Sequence, residues 1–167
     1  MANQDRAAGA GGPSTGLVWA ELEKRIFAVL GTVSRKGAPL TSGIVYKVKD
    51  RRILIATGRS TQKARNVEAH PRVSMTVTAA RRIPFLPWIK IPPATITFRG
   101  EARLLTPEEV DQPLREALAG KLSFSPEALA DMCYIEVTPE GTFVTYGIGV
   151  SLHTMLRPKE ALARVPV

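Results

Sequence analysis

Ala56-Thr57-Gly58-Arg59-Ser60-Thr61-Gln62-Lys63-Ala64-Arg65-Asn66-Val67-Glu68-Ala69-His70-Pro71 lies between two stretches of strand character. Ile53, Leu54 and Ile55 precede it as a continuous apolar run, and Val73, Met75 and Val77 follow it in strict alternation. Between them the residues predict a short helix from about Thr61 to Ala69, capped by Ser60 or Thr61 and stopped by Pro71. Its charges oppose its own stability. Arg59 lies just before the helix and Lys63 in its first turn, where the positive end of the dipole disfavours cations. Free N–H groups, a capping hydroxyl and two cations thus converge on one small volume. A bound anion, most naturally a phosphate, relieves the conflict; two solvated surface side chains are the simpler alternative.

Working outward, the chain of 167 residues is long enough for one domain with a real core. With 44% hydrophobic and 23% charged residues it has an ordinary globular composition. A formal net charge of +8 suits an anionic partner: nucleic acid, an acidic membrane or a phosphorylated cofactor. Nucleic acid is not expected, because the basic residues are dispersed and no zinc-finger, basic-zipper or aromatic RNA-binding signature occurs. The single cysteine, Cys133, excludes an internal disulfide and reads as a buried structural thiol rather than a nucleophile. No apolar run is long enough to span a bilayer, the N-terminus lacks the layout of a secretory signal, and a cytoplasmic location is expected.

Residues 1–15, rich in Ala and Gly, read as a disordered tail, and 16–149 as the folded domain. The Gly9, Gly11, Gly12 cluster follows no strand and is not a nucleotide loop. Gly16 to Arg25 suits an amphipathic helix with Leu17, Trp19 or Ala20, and Leu22 inward. Ile26 to Val33 is apolar on both alternating faces, as in a strand covered on two sides. Ser34-Arg35-Lys36-Gly37 turns the chain into a returning strand, Ala38 to Val48, with Ile44, Tyr46 and Val48 on one face. Lys49-Asp50-Arg51-Arg52 turns it again into Ile53 to Thr57.

Beyond the central helix and the strand Arg72 to Thr78, residues 79–93 interleave Arg81, Arg82 and Lys90 with Phe85, Leu86, Trp88 and Ile89. Prolines at 84, 87, 92 and 93 exclude regular structure there. So much apolar surface calls for a cover: a second subunit, a ligand, a lipid surface or the chain's own barrel. Thr95 to Leu105 is a further strand with a bulge or bend at Gly100. Thr106-Pro107-Glu108-Glu109 has the form of a capping box, Pro113 divides the following helix, and Ser125-Pro126-Glu127 opens a brief helical turn. Cys133 to Val137 and Thr142 to Tyr146 are expected to form a hairpin about Pro139-Glu140-Gly141. Residues 150–167 are set apart as a C-terminal tail. Six or seven strands without strict strand–helix alternation predict a mostly β barrel with short helices.

Most familiar chemistry is missing. Gly147-Ile148-Gly149 lacks the third glycine of a dinucleotide fingerprint, since Leu152 stands there. His70 and His153 have no ligand spacing around them, so no metal site is expected. Ser60-Thr61-Gln62-Lys63 spells a serine–lysine pattern, but its companions Ser-Asp-Asn and Lys-Thr-Gly are absent. No paired catalytic carboxylates stand out, and no catalytic side chain is assigned. Any reaction is then carried by a cofactor.

The run Val29 to Ser42, the strand Ile53 to Thr57, the segment Ser60 to Asn66 and His70-Pro71-Arg72-Val73 occur in an order and spacing that resembles the pyridoxamine 5'-phosphate oxidase-like family. The similarity spans roughly Leu17 to Tyr146. The resemblance implies an FMN-binding split β-barrel that holds FMN or a deazaflavin coenzyme, assembled as a homodimer with the cofactor at the interface. It places the cofactor phosphate at Thr57, Ser60, Thr61, Lys63 and Asn66, with Arg59 added by the charge argument above. It places the ring system against Thr41, Ser42 and their neighbours up to Val45. Two departures are visible. Gly43 stands where the family often has proline or asparagine, and the arginine and glutamine pattern that reads pyridoxal substrates is not identifiable, so vitamin B6 oxidation is not expected. The resemblance leaves two function classes: an FMN- or deazaflavin-dependent oxidoreductase passing hydride to or from a small organic substrate, and a non-catalytic flavin- or haem-binding protein for storage, sensing or sequestration.

Overall fold

A computed structural model describes residues 12–80, 92–120 and 125–167. The expected loop around Trp88 and most of the expected N-terminal tail lie outside these residues. The first helix, α1 (Thr15–Glu23), begins where Ser14 accepts a hydrogen bond from the Leu17 N–H, and it buries Val18, Trp19 and Leu22. Pro13 is buried and the Thr15 hydroxyl donates to the Pro166 carbonyl at 2.9 Å, so the chain joins the folded body before residue 16.

Strands β1 (Phe27–Val33), β2 (Pro39–Val45), β3 (Lys47–Lys49) and β4 (Arg52–Gly58) come next, followed by α2 (Gln62–Ala69) and β5 (Arg72–Ala79). The expected returning strand is thus two strands, parted at Tyr46. That side chain is fully buried, and its hydroxyl donates to the Leu22 carbonyl at 2.8 Å, which ties α1 to the sheet. Burial pushes the Tyr46 phenol well above its usual range, so it stays a donor. Val73, Met75 and Val77 of β5 point inward as their alternation predicts.

Strand β6 (Ala94–Leu105) leads through a 3-10 turn at Pro107–Glu109, which carries the expected capping box, to α3 (Gln112–Ala119) and α4 (Pro126–Ala130). The expected hairpin about Pro139-Glu140-Gly141 does not form. Met132–Tyr146 is one continuous strand, β7, and both halves pair with β6: Leu105↔Tyr134 through Gly100↔Pro139, then Thr97↔Val144 through Thr95↔Tyr146. The turn-forming residues instead make a bulge, with the register shifting between Thr97 and Arg99 and Gly141 at φ +72°. Turn chemistry and bulge chemistry use the same residues, and pairing with one long partner decides between them. Residues 150–167 do not leave the body either. After α5 (Leu152–Met155) and α6 (Pro158–Ala161), strand β8 (Leu162–Pro166) pairs with β7, burying Met155, Ala161 and Val165.

The eight strands form one antiparallel sheet of order β2-β1-β5-β6-β7-β4-β3, with β8 on β7. Helix α2 carries the chain from β4 back to β5, across the two strands between them, and packs on β1 and β6. The sheet curls far enough to bring β2 against β4, giving the curled half-barrel that a split barrel requires. Its core centres on Phe143, which Trp19 and Phe98 each meet edge-on at 5.4 Å. A smaller core of Leu54, Leu105, Val110, Leu118 and Tyr134 includes Leu118 of α3.

One expectation about burial is corrected. Strand β1 buries Ala28, Leu30 and Thr32, whereas its other face is only half-buried at Val29, Gly31 and Val33 and open at Phe27. Phe27 is 49% exposed and its partner Val45 53%.

The expected bulge falls beside Gly100, where the register shifts between Thr97 and Arg99, and Gly100 itself has a steric role. A Cβ there would lie 2.5 Å from the Thr138 carbonyl oxygen and 3.0 Å from Val137 Cγ1. Gly100→Ala is therefore expected to lower stability by about 1–3 kcal/mol, because backbone must shift to admit the methyl. Urea denaturation followed by tryptophan fluorescence measures it.

Candidate functional site

The junction of β4 and α2 is built from two segments far apart in the chain. Strand β4 ends at Gly58, opposite Met132 of β7, so the residue before Met132 is delivered beside the turn. That residue is Asp131. Its carbonyl accepts the Arg59 N–H at 2.7 Å. Its carboxylate accepts the Ser60 N–H at 3.0 and 3.3 Å and the Ser60 hydroxyl at 2.6 Å. A Cβ at Gly58 would meet the same carboxylate, so the close approach of Asp131 uses the absence of a side chain there. The turn Gly58-Arg59-Ser60 is wrapped around Asp131. Nothing local in the sequence marks a partner 71 residues away, and Asp131 is absent from the residues expected at the site.

Of the two candidate caps, Thr61 is the one used; its Oγ1 accepts the Ala64 N–H at 3.4 Å. The same hydroxyl donates to the Gly58 carbonyl at 2.8 Å. With that proton engaged, the 3.2 Å contact between Thr57 and Thr61 is donated by Thr57. The hydroxyl protons of Thr57, Ser60 and Thr61 are therefore all directed at protein acceptors. Asn66 is buried and faces inward. Its Oδ1 accepts from Gln62 Nε2 at 2.7 Å, and its Nδ2 donates to Thr32 Oγ1 at 2.9 Å. Thr32 Oγ1 in turn lies 3.5 Å from the Leu40 carbonyl, so a polar chain runs from the first turn of α2 through β1 to β2.

What stays open at the junction is cationic. Arg59 is exposed and Lys63 half-buried, and among the described residues neither forms an ion pair within 4.0 Å. The N–H groups of Gln62 and Lys63, in the first turn of α2, have no hydrogen-bond partner among the described residues. Cys133, directly opposite Thr57 in the β4–β7 ladder, is fully buried below this group. Burial raises its thiol pKa; Arg59 pulls it down, Asp131 pushes it up and Lys63 pulls it down, with a net rise. The thiol is held away from the thiolate form a nucleophile requires.

The expected ring-contact residues lie on β2. Thr41 and Val45 are exposed, Ser42 is half-buried, and Gly43 lies under the Phe27 ring, which would touch a Cβ there at 3.1 Å. The structure thus gathers Thr57, Arg59, Ser60, Thr61 and Lys63 at one junction and places Thr41, Ser42 and Val45 on the strand that the curl brings against β4. It assigns Asn66 to the link between them. Among the described residues no group of His, Cys, Asp and Glu is placed to hold a metal ion. Nor is any helix among them long and apolar enough to cross a membrane.

This architecture has a family. Residues 17–146 match the family model described as pyridoxamine 5'-phosphate oxidase, and the chain belongs to that family. Among solved structures it is similar to an F420 reductase, at 23% identity and a TM-score of 0.56 over 80% of this chain and 98% of that one. A putative pyridoxamine 5'-phosphate oxidase from Listeria innocua is similar at 20% identity and a TM-score of 0.57, over 74% and 90% of the two chains. The haem storage protein HutZ from Vibrio cholerae is similar at 17% identity and 0.58, over 82% and 98%. At these identities the likeness concerns the fold. No curated protein matches the chain.

Asn66 offers a direct test of the polar chain. Asn66→Leu leaves Thr32 Oγ1 without its buried donor and Gln62 without its acceptor. Stability is expected to fall by about 1–3 kcal/mol, read from the urea midpoint.

Proposed function

We propose that the chain is an FMN- or deazaflavin-dependent oxidoreductase that transfers hydride between its cofactor and a small organic substrate. One observation carries this reading: Arg59 and Lys63 stand unpaired, among the described residues, beside two open N–H groups in the first turn of α2. A phosphate fits that donor set. It meets the Gln62 and Lys63 N–H groups, the Lys63 ammonium and the Arg59 guanidinium, and it relieves the conflict between cations and helix dipole. The threonine hydroxyls and Asn66, in this reading, shape the junction without touching the ligand. Thr41, Ser42 and Val45 flank the ring system. The cofactor supplies the hydride chemistry; the side chains bind it, orient it and keep water from one face. The buried, protonated Cys133 fits a site in which no protein nucleophile takes part.

The open face of β1 and β2 suits a second copy of the chain, and the ring site then lies at a subunit interface. Phe27 and its partner Val45 are exposed on it. Sedimentation at micromolar concentration is expected to give a dimer, and Val45→Glu a monomer that keeps its fold.

The reading is tested by titrating wild type with FMN and with the deazaflavin coenzyme, followed by fluorescence. Lys63→Ala is expected to weaken binding by about ten- to a hundredfold, since a charge-assisted hydrogen bond contributes about 1.5–3 kcal/mol. Lys36→Ala, in the β1–β2 turn, is expected to leave it unchanged. A loaded protein that does not change oxidation state with any reductant or acceptor is instead the non-catalytic binder.

A further inference from the structure

We propose that the outer face of the sheet carries a second ligand site, a cleft between β4, β7, β6 and the start of α3 that binds the zwitterionic head of a free α-amino acid with an apolar side chain. The cleft is separate from the β4–α2 junction and does not rest on how that junction is used. Arg52, on the cleft, and Gly58, at the junction, stand at opposite ends of β4, about 20 Å apart at the usual strand rise.

The alternation that turns Ile53, Ile55, Ile135 and Val137 into the main core sends Leu54, Glu136 and Arg103 to the opposite face. The ladders align them in one row, Leu54↔Glu136 and Glu136↔Arg103. The turn after β6 brings Val110 into the same apolar cluster as Leu54 and Leu105, and Leu114 of α3 packs against that cluster. Sheet and turn enclose a cleft of about 300 Å³, at the small end of ligand pockets. Glu136 lies at its foot with a side chain only 10% exposed. A carboxylate so buried is no better for stability than apolar packing, which points to a use for the groups it holds. It holds two guanidiniums. Arg103 Nε donates to Glu136 Oε1 at 2.8 Å, and Arg52 Nη1 reaches Glu136 Oε2 at 3.5 Å. Among the described residues neither guanidinium makes another hydrogen bond, and both side chains are more than half exposed.

Opposite charges lie side by side in this cleft. Glu109 uses Oε2 on the Thr106 N–H at 2.8 Å, while its Oε1 stands 3.9 Å from Arg103 Nη1, beyond hydrogen-bond reach. An acceptor and a donor are thus offered within one short span. An α-amino acid presents the reverse pair, a carboxylate and an ammonium on one carbon. Its carboxylate meets the open N–H groups of Arg103 and Arg52, its ammonium meets Glu109, and its side chain lies toward Val110 and Leu114. A simple anion leaves Glu109 unmatched, and a simple cation leaves the guanidiniums unmatched. At the rim, Lys49 and Asp111 pair across the mouth; exposed pairs of this kind contribute little to stability, so this one opens at small cost. The rim is also strained. The two-residue turn between β3 and β4 holds Asp50 and Arg51 at φ +50° and +56°, a left-handed pair in which glycine is the usual second residue. Strain of this sort gathers at functional sites, and here it sets Lys49, Asp50 and Arg52 along one wall of the cleft.

L-leucine, isocaproate and isoamylamine share one branched apolar group; the second lacks the ammonium and the third the carboxylate. Titrating each into the isotope-labelled full chain at low ionic strength, followed by amide NMR shifts, tests the inference. L-leucine is expected to shift the amides of Leu54, Arg103 and Val110 and to bind about tenfold or more tightly than either analogue, as one charge-assisted contact is lost in each. Arg103→Gln is expected to weaken leucine and isocaproate by about tenfold and to leave isoamylamine unchanged. Glu109→Gln keeps an acceptor for the capping box and removes the charge. It is expected to weaken leucine and isoamylamine by about tenfold and to leave isocaproate unchanged. Leucine that binds no more tightly than an analogue, that shifts only amides outside the cleft, or that shifts none at millimolar concentration overturns the inference. So does a variant that weakens all three ligands equally or none. If a variant does not fold, the wild-type ranking and the location of the shifts decide.

Discussion

Strand β7 has to satisfy three partners along one unbroken run of fifteen residues, and the rest of the structure follows from that constraint. Its first half is shared between β4 and β6, and its second half between β6 and β8. Such a strand has both of its edges hydrogen-bonded, so neither half can leave to form a hairpin of its own without abandoning a ladder. The bulge around Gly141 takes up the mismatch with β6 and bends the sheet. Phe143, next to that bulge, turns into the barrel and anchors Trp19 and Phe98. At its other end, β7 begins one residue after Asp131, and the β4 ladder sets that carboxylate into the turn before α2.

The junction is consequently governed by long-range geometry and local electrostatics together. The helix N-terminus and its two cations come from one short segment; the carboxylate that restrains them comes from another. A protein anion there engages only Ser60 and the Arg59 N–H, so the cations keep their charge available. The hydroxyls of Thr57, Ser60 and Thr61 are directed at protein acceptors at the turn. The polar chain through Asn66, Thr32 and Leu40 carries this hydrogen bonding on to β2.

Much of this is legible in the sequence, for reasons that differ from element to element. Alternation at Val73, Met75 and Val77 and the Thr61–Pro71 frame around α2 are local signals, and the structure follows them closely. The capping box at Thr106–Glu109 and the brief helix after Ser125 are likewise local. Pro139-Glu140-Gly141 misleads because a turn and a bulge draw on the same residues, and only the length of β6 separates them. Ile26 to Val33 reads as covered on both sides because apolar residues on the outer face of a strand carry no mark of how far they are buried. Asp131 gives no sign at all, since its importance depends on register between β4 and β7. Family resemblance points to the hydroxyls of Thr57, Ser60 and Thr61 as site residues, and only their hydrogen-bond partners show how they are used.

Binding of a flavin or deazaflavin through the β4–α2 junction is tested most directly by the absorption spectrum of the untagged protein as purified, repeated after incubation with both cofactors and removal of the excess. Flavin or deazaflavin bands are expected to stay with the protein and to bleach when a reductant is added. A protein that stays colourless after exposure to both, while retaining its folded state, contradicts this mode of binding.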